Sequence, residues 1–394
     1  MRAVEVKAIS HDRFYKKTAF CILLFSLFMS TFAQAKEEDE AELSVFGEMG
    51  FEYTDNVFGL TDDRIATMDE NDPDDILSGR YKDMDSLSDS IFEPRVGLKW
   101  KSDSPLGGKL RLTSWLRYHF YLENDALNYP EYGMDLRNSI GEKGTLGLDV
   151  DIINGFQKKN YLSSANDINE NGNISRDERI YSAAVYDEYQ GSINYRHEIV
   201  DDKDAVLSRF FIKPFTGYST RSHNSSLKNR DRDIVFGGLG LDFEFMESVD
   251  LELLYRYENV SSPDDIELVL FDERISGYDV SGDGLLKKNA PIHTNIDRSS
   301  ERNTITVRPS ITLTKEIKFS LEYSNRTTRY TSDNPLDTEH YGQKAYEEKF
   351  KAEIDLDLSK SWRLKAEYCR TDDEDPEDGI YNENSYLFVL RYSY

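Results

Sequence analysis

Apolar and polar residues alternate with a period of two along most of the chain. In YLFVLRYSY (386–394) the even positions are all apolar or aromatic, whereas the odd positions include Arg391 and Ser393. In KAEIDLDL (351–358) the even positions are again apolar and every odd position is charged. A period of two is typical of β-strands whose two faces meet different surroundings. The pattern therefore predicts an all-β protein.

The alternation predicts about fourteen strands, most of them at or above the roughly 9–11 residues that a tilted strand needs to cross a bilayer. They are 44–54, 91–101, 109–122, 132–142, 145–158, 181–197, 206–220, 232–246, 249–260, 302–314, 316–330, 344–358, 361–371 and 383–394. Pro94, Pro214 and Pro309 fall inside these ranges. Because proline cannot donate to a strand ladder, we expect them at rims or bulges.

The connections between these strands alternate between long and short. The long ones are 55–90, 123–131, 159–180, 221–231, 261–301, 331–343 and 372–382, and the short ones have one to eight residues. Short turns at one end and long loops at the other are typical of outer-membrane barrels, in which closure pairs every backbone group. The prediction is a closed antiparallel transmembrane β-barrel with its long loops outside and its short turns toward the periplasm.

Two stretches carry a family resemblance. YLFVLRYSY, with its alternating aromatics and Tyr394, resembles the C-terminal signal strand of Gram-negative outer-membrane β-barrels. VFGEMGFEYTDNVF (45–58) resembles the first strand and loop of porin-like barrels, some of which accompany exopolysaccharide export. The resemblance spans about 44–394 and implies contact with outer-membrane lipid and recognition by the barrel-assembly machinery through the C-terminal strand. It also implies passage of a hydrophilic solute or a polysaccharide, but it carries over no catalytic residue and no oligomeric state.

The first 35 residues have the pattern of a secretory signal peptide. Five basic residues precede an apolar run at 18–33, which is shorter than the roughly 20 residues of a membrane-spanning helix. Ala33-Gln34-Ala35 then supplies a small-residue cleavage pattern. We therefore predict export with cleavage after Ala35, a short periplasmic segment at 36–43 and a barrel at 44–394.

The chain is strongly acidic. Its formal net charge is −26, and loss of a signal with five basic and two acidic residues changes this to −29. Nucleic acid is excluded as an expected partner, because phosphate binding requires a basic surface. Aromatic residues make up 12% of the chain, which argues against a disordered acidic protein. Cations fit this charge better.

One stretch, DINENGNISRDE (167–178), matches the calcium loop of an EF-hand. The matching positions are Asp167, Asn169, Asn171, Gly172 at the turn, Asn173 through its carbonyl, Ser175 and Glu178. Oxygens at positions 1, 3 and 5 converge on the ion, and the glutamate at position 12 supplies two more. The pattern predicts a weak extracellular Ca²⁺ site, with a solvated Asn-Gly turn as the alternative. The flanking sequence shows no amphipathic helices, so the resemblance concerns the calcium loop alone and does not imply a whole EF-hand domain.

Three further acidic stretches fall in predicted outer loops. DVSGDGLLKKNA (279–290) repeats the start of the calcium pattern, but Ala290 stands where the bidentate carboxylate belongs, so a turn is the better interpretation. TMDENDPDD (67–75) and RTDDEDPEDG (370–379) are interpreted as solvated loops.

The face opposite the apolar one carries charges of both signs and is predicted to line the interior. The predicted inward charges are basic at 111, 117, 196, 213, 256, 308, 318, 326, 349, 351, 363 and 391, and acidic at 149, 151, 242, 244, 252, 322, 353, 355 and 357. Polar interiors belong both to water-filled channels and to barrels filled by ion pairs, and both interpretations stay open. The loops at 55–90 and 261–301 are long enough to fold inward.

The predicted function is passive transport of a hydrophilic solute, without enzyme activity. Neither a GxSxG elbow nor an HExxH motif is present. Polysaccharide export is the first alternative, and it would use inward aromatic platforms, for which Trp115, Tyr121 and Phe215 are candidates. The second alternative is a non-transporting surface protein whose acidic loops bind calcium or other cells.

Overall fold

Fourteen antiparallel strands close into one barrel in the computed structural model, which describes residues 41–60, 85–104, 108–165, 179–202, 204–224, 227–246, 248–263, 265–270, 291–334, 337, 340–375 and 379–393. The barrel strands are β1 (Glu42–Thr54), β2 (Asp89–Asp103), β3 (Lys109–Tyr121), β4 (Tyr129–Ile140), β5 (Gly144–Ala165), β6 (Arg179–Asp201), β7 (Leu207–His223), β8 (Arg232–Phe245), β9 (Val249–Ser261), β12 (Ser300–Thr312), β13 (Ile317–Tyr330), β14 (Lys344–Asp357), β15 (Trp362–Asp375) and β16 (Gly379–Ser393). A separate two-stranded sheet, β10 (Asp265–Leu270) and β11 (Pro291–Ile296), falls between β9 and β12 in the chain, whereas β9 and β12 pair directly in the barrel. The predicted signal peptide lies outside the described residues.

Closure joins the first strand to the last. Phe46 of β1 faces Gly97 of β2 on one side and Ser393 of β16 on the other. Every strand of the described wall therefore has two neighbours, and no strand edge is left unpaired in it. The predicted fold class is confirmed, and the predicted strand count equals the observed one. No helix among the described residues is long and apolar enough to cross a membrane.

Some strands extend further than predicted. β5 and β6 have 22 and 23 residues. β15 and β16 stay paired as far as Asp375 and Gly379, so only 376–378 connect them. The long connection predicted at 372–382 is wrong, and most of the acidic run at 370–379 is strand. Its composition suggested a loop, but paired strands tolerate charged side chains wherever both faces meet water or polar groups.

The three prolines lie within strands rather than at rims or bulges. Pro94 faces Met49 of β1, while on the β3 side the paired residues stop at Phe92–Phe120 and resume at Arg95–Arg117. Pro214 and Pro309 show the same one-sided interruption, toward β6 and β13 respectively. The register is unchanged across each gap. A proline within the wall therefore interrupts the ladder toward one neighbour, and the opposite neighbour still holds the strand.

The outward face is apolar between two sets of aromatic rings. Nearer the short turns, which we call the turn end, Trp362 packs on Tyr392 at 4.8 Å between centroids. Toward the opposite end, the loop end, Tyr53, Tyr386 and Tyr368 lie side by side on β1, β16 and β15. Most outward side chains between these rings are aliphatic or aromatic, and many are more than 40% exposed. Apolar bands bordered by aromatic girdles are typical of barrels that contact lipid.

Tyrosine hydroxyls mark where the outward face turns polar. Each of four outward tyrosines donates to a polar side chain on the neighbouring strand, closer to the loop end. The pairs are Tyr218–Asp233, Tyr255–Asn303, Tyr323–Glu348 and Tyr368–Asn384. A ring that meets apolar surroundings on its body and polar ones at its hydroxyl suits a membrane interface. Beyond this level, exposed charges such as Arg370 and Asp372 occupy the outward face.

Candidate functional site

The inner face of the barrel is the candidate site, because strand alternation directs its charged side chains there. Arg137 bonds Asp149 at 2.7 Å, Arg196 bonds Asp242 at 3.1 Å, and Lys318 bonds Asp250 at 2.8 Å. Each pair joins neighbouring or nearby strands. The predicted polar interior is confirmed at these positions, and the ion pairs run along the wall.

Open volume remains inside this wall. One cavity of about 250 Å³ lies against β1, β2, β3, β14, β15 and β16, and a second of about 490 Å³ lies against β6–β9 and β12–β15. Both border Asp355 and Arg363, so they meet along β14 and β15. The predicted inward residues that border the two cavities are Arg117, Arg196, Asp242, Glu244, Glu252, Arg308, Lys318, Glu353, Asp355, Arg363 and Arg391. The interior of the described barrel therefore contains both ion pairs along its wall and open cavities beside them.

Inner aromatic rings lie over glycines. Four rings cover the glycine directly opposite on the neighbouring strand, and a β-carbon at any of these glycines would overlap the ring. The pairs are Phe46–Gly97, Trp115–Gly133, Phe215–Gly238 and Phe236–Gly217. The missing side chain lets each of these rings lie against the wall.

Arginines cover several of these rings from the other side. The guanidinium of Arg95 lies 4.2 Å from the Trp115 centroid, that of Arg391 lies 4.8 Å from Phe46, and that of Arg256 lies 3.9 Å from Phe236. Such stacking is a cation–π contact. In these three places the wall has a layered construction of glycine, ring and arginine. The layer exposed to the interior is therefore basic rather than aromatic.

Each of the three aromatic platforms suggested by the sequence packs against a neighbouring group. Trp115 lies beneath Arg95. Phe215 covers Gly238. Tyr121 packs at the loop end against a small apolar cluster of Phe58, Leu60 and Leu127.

A different set of rings crosses five strands near the loop end. His119, Tyr129, Phe156, Tyr186 and His223 form a continuous series with centroids 4.2 to 5.2 Å apart. His119 also lies between the carboxylates of Glu93 and Glu131, at 2.6 and 3.1 Å.

The period of two along the sequence does not reveal this aromatic band, because β5 changes phase. Its ladder with β6 shifts register between Ile153 and Phe156, next to Gly155 at φ +68°. A bulge reverses which positions of a strand face inward. A glycine inside a strand is the sequence signal that marks such a position.

The predicted calcium ligands all lie outside the described residues. The segment 166–178 contains Asp167, Asn169, Asn171, Asn173, Ser175 and Glu178. The stretches 279–290 and 67–75 also lie outside. Within the described residues, no group of three or more His, Cys, Asp or Glu side chains is placed to hold a metal ion.

Comparison with known proteins gives likenesses of architecture. Neither a protein-family model nor a curated protein matches the sequence. Solved structures that match include the outer membrane channel DcaP of Acinetobacter baumannii, at 11% identity and a TM-score of 0.42, covering 90% of this chain and 97% of that one. The anion-selective porin of Comamonas acidovorans matches at 12% identity and a TM-score of 0.36, covering 90% and 100%. A bacterial polysaccharide outer membrane secretin matches at 8% identity and 0.41, covering 88% and 98%. At these values the likenesses concern the barrel fold alone.

Proposed function

We propose that the protein is an outer-membrane channel for a hydrophilic solute. The observation that supports it is the contrast between the two faces of one closed wall. The outward face is apolar between aromatic girdles, whereas the inward face is charged and borders open cavities. A closed barrel satisfies its backbone in lipid, and its polar interior gives water and solutes a route.

Conductance of the full-length purified protein in planar lipid bilayers tests this proposal. We expect discrete, ohmic current steps on insertion in 1 M KCl, because ions can follow the charged inner wall. Heat-denatured protein from the same preparation is the control. A folded barrel, recognised by its heat-modifiable gel mobility, that inserts without conducting would instead favour the non-transporting surface protein.

Polysaccharide export is the second candidate, and the rings of Tyr129 and Phe156 are the observation that favours it, whereas Arg221 already covers Tyr186 at 4.3 Å from its centroid. Sugars bind through apolar contact with aromatic rings combined with hydrogen bonds. Reversible blockade of the current by neutral oligosaccharides would favour export. An unchanged current would favour passage of a small solute.

We further propose that 167–178 binds Ca²⁺ and stabilises its loop. Two anionic ligands, Asp167 and Glu178, suit the weak extracellular range of about 10⁻⁴–10⁻³ M. In calorimetric titration of the full-length protein, Glu178→Ala should weaken calcium binding at least about tenfold, because it removes the bidentate ligand. Glu142→Ala, in the exposed turn between β4 and β5, is the matched control. Equal affinity in the two variants would contradict a site at this loop.

A further inference from the structure

Basic side chains face one another across neighbouring strands on one side of the interior. Arg95 of β2 lies directly opposite Arg117 of β3, and Arg363 of β15 lies directly opposite Arg391 of β16. Like charges at opposed strand positions are destabilising. The two basic pairs lie on either side of β1, and Glu48 of β1 bonds one arginine of each pair, which leaves Arg117 and Arg363 without a share in that carboxylate. We call these four arginines, together with Lys365, the basic wall.

Acidic side chains repeat the arrangement on the far side of the barrel. Asp242 and Glu244 of β8 lie directly opposite Glu252 and Asp250 of β9. β8 and β9 are seven strand positions from β1 and β2 in a ring of fourteen, so the two walls face each other across the interior. One side of the interior therefore has an excess of basic side chains and the other an excess of acidic ones, although Arg196 and Lys318 pair with Asp242 and Asp250 on the acidic side.

The smaller cavity lies against the basic wall. Its described lining includes five basic side chains, those of the basic wall, and three acidic ones, Glu48, Glu93 and Asp355. The cavity, about 250 Å³, equals the liquid volume of roughly eight water molecules. It has room for a hydrated anionic group.

Two members of the basic wall are already paired: Lys365 bonds Glu353 at 2.9 Å and Glu367 at 2.8 Å, and Arg363 bonds Asp357 at 2.6 Å. The acids beside Arg95, Arg117 and Arg391 leave guanidinium donors available. Glu48 accepts from both Arg95 and Arg391 at 3.0 Å, and Arg117 has Glu131 at 3.6 Å. In the described part of the chain, the buried Nε of Arg95 has no hydrogen-bond partner. Each guanidinium carries five donors in a planar fork that matches the oxygens of a carboxylate or phosphate.

We propose that the basic wall binds the oxyanion group, carboxylate or phosphate, of the transported solute. This inference rests on the proposed channel function and specifies its substrate class. An oxyanion between Arg95, Arg117 and the β15–β16 arginines relieves the repulsion of both basic pairs. The acidic wall opposite repels the same group and so directs it to one side.

Trp115 reports on this site directly, since it lies beneath Arg95 and 5.4 Å from the guanidinium of Arg117. The other two tryptophans are Trp100, which is buried near the turn end of β2, and Trp362, which packs on Tyr392. Trp100→Phe with Trp362→Phe leaves Trp115 as the only tryptophan. In this full-length background, inorganic phosphate and succinate are titrated in detergent at constant ionic strength while Trp115 emission is recorded. We expect the Trp115 emission to change saturably with anion concentration. Tighter binding of phosphate would indicate a phosphorylated solute, and tighter binding of succinate would indicate a carboxylated one.

Arg117→Gln should raise the dissociation constant about tenfold, because it removes charge-assisted hydrogen bonds. Arg117→Lys should recover part of the affinity. Lys318→Gln, which removes the same charge beside the acidic wall, is the matched control and should stay within about twofold of the parent. Arg363→Gln, at a half-exposed position of the basic wall, serves if the Arg117 variant does not fold.

Two results would overturn the inference: emission that follows ionic strength alone, or equal weakening by Lys318→Gln and Arg117→Gln. Bilayer recordings separate this failure from that of the proposed function. A protein that conducts but does not respond to either anion is a channel without this site. Saturable anion binding without conductance instead removes the channel and leaves an anion site.

Discussion

Replacing Gly238 with valine is expected to lower the free energy of unfolding by about 3 kcal/mol, the upper part of the range for an overfilled site. A β-carbon at this position would overlap the backbone carbonyl of Tyr255 on β9 as well as the Phe215 ring. The ring can turn aside, but the carbonyl moves only with its strand. Urea unfolding of the refolded protein in detergent, followed by tryptophan fluorescence, measures the loss.

Gly47→Val is the matched control, because no described atom lies within 4 Å of the position of its β-carbon. Valine has a higher strand propensity than glycine, so this variant should be at least as stable as the parent protein. Equal stability of the two variants would show that the glycine and ring pairs do not set the packing of the wall.

Glu48→Gln is expected to lower the free energy of unfolding by about 2 kcal/mol. The substitution removes a buried carboxylate that bonds two arginines, and the two arginines then remain as neighbouring like charges. Glu48 is 8% exposed and bonds Arg95 of β2 and Arg391 of β16, so it ties together the strands on both sides of β1 at the closing seam. Under the proposed function, the same substitution should make the current through the barrel more anion-selective. The midpoint of urea unfolding and the reversal potential in a KCl gradient check the two effects.

Glu42→Gln tests the same chemistry on the same strand without burial. Glu42 pairs with Lys101 at 3.1 Å, but the two side chains are 74% and 53% exposed. Exposed pairs of this kind contribute well under about 1 kcal/mol. If Glu48→Gln and Glu42→Gln lower the free energy of unfolding equally, burial at the seam does not explain the contribution of Glu48 to stability.

The layers of glycine, ring and arginine depend partly on the sequence pattern and partly on the pairing of the strands. The alternation places Trp115 and Gly133 on inward positions of their strands, but their contact depends on the register between β3 and β4. Register depends on turns and on pairing along the whole strand, and the sequence does not state it locally. The layers of glycine, ring and arginine, and the position of the basic wall opposite the acidic wall, therefore appear only in the folded barrel.

The sequence by itself determined the all-β class, the number of strands in the wall and which face of most strands is apolar. It could do so because a strand's two faces alternate residue by residue, and lipid and water select opposite residue types. Only the tertiary structure decided the ends of β15 and β16, the phase change in β5 and the neighbours of each charge. Those features depend on pairing between segments distant in the chain, and a period of two within one strand carries no information about its partner.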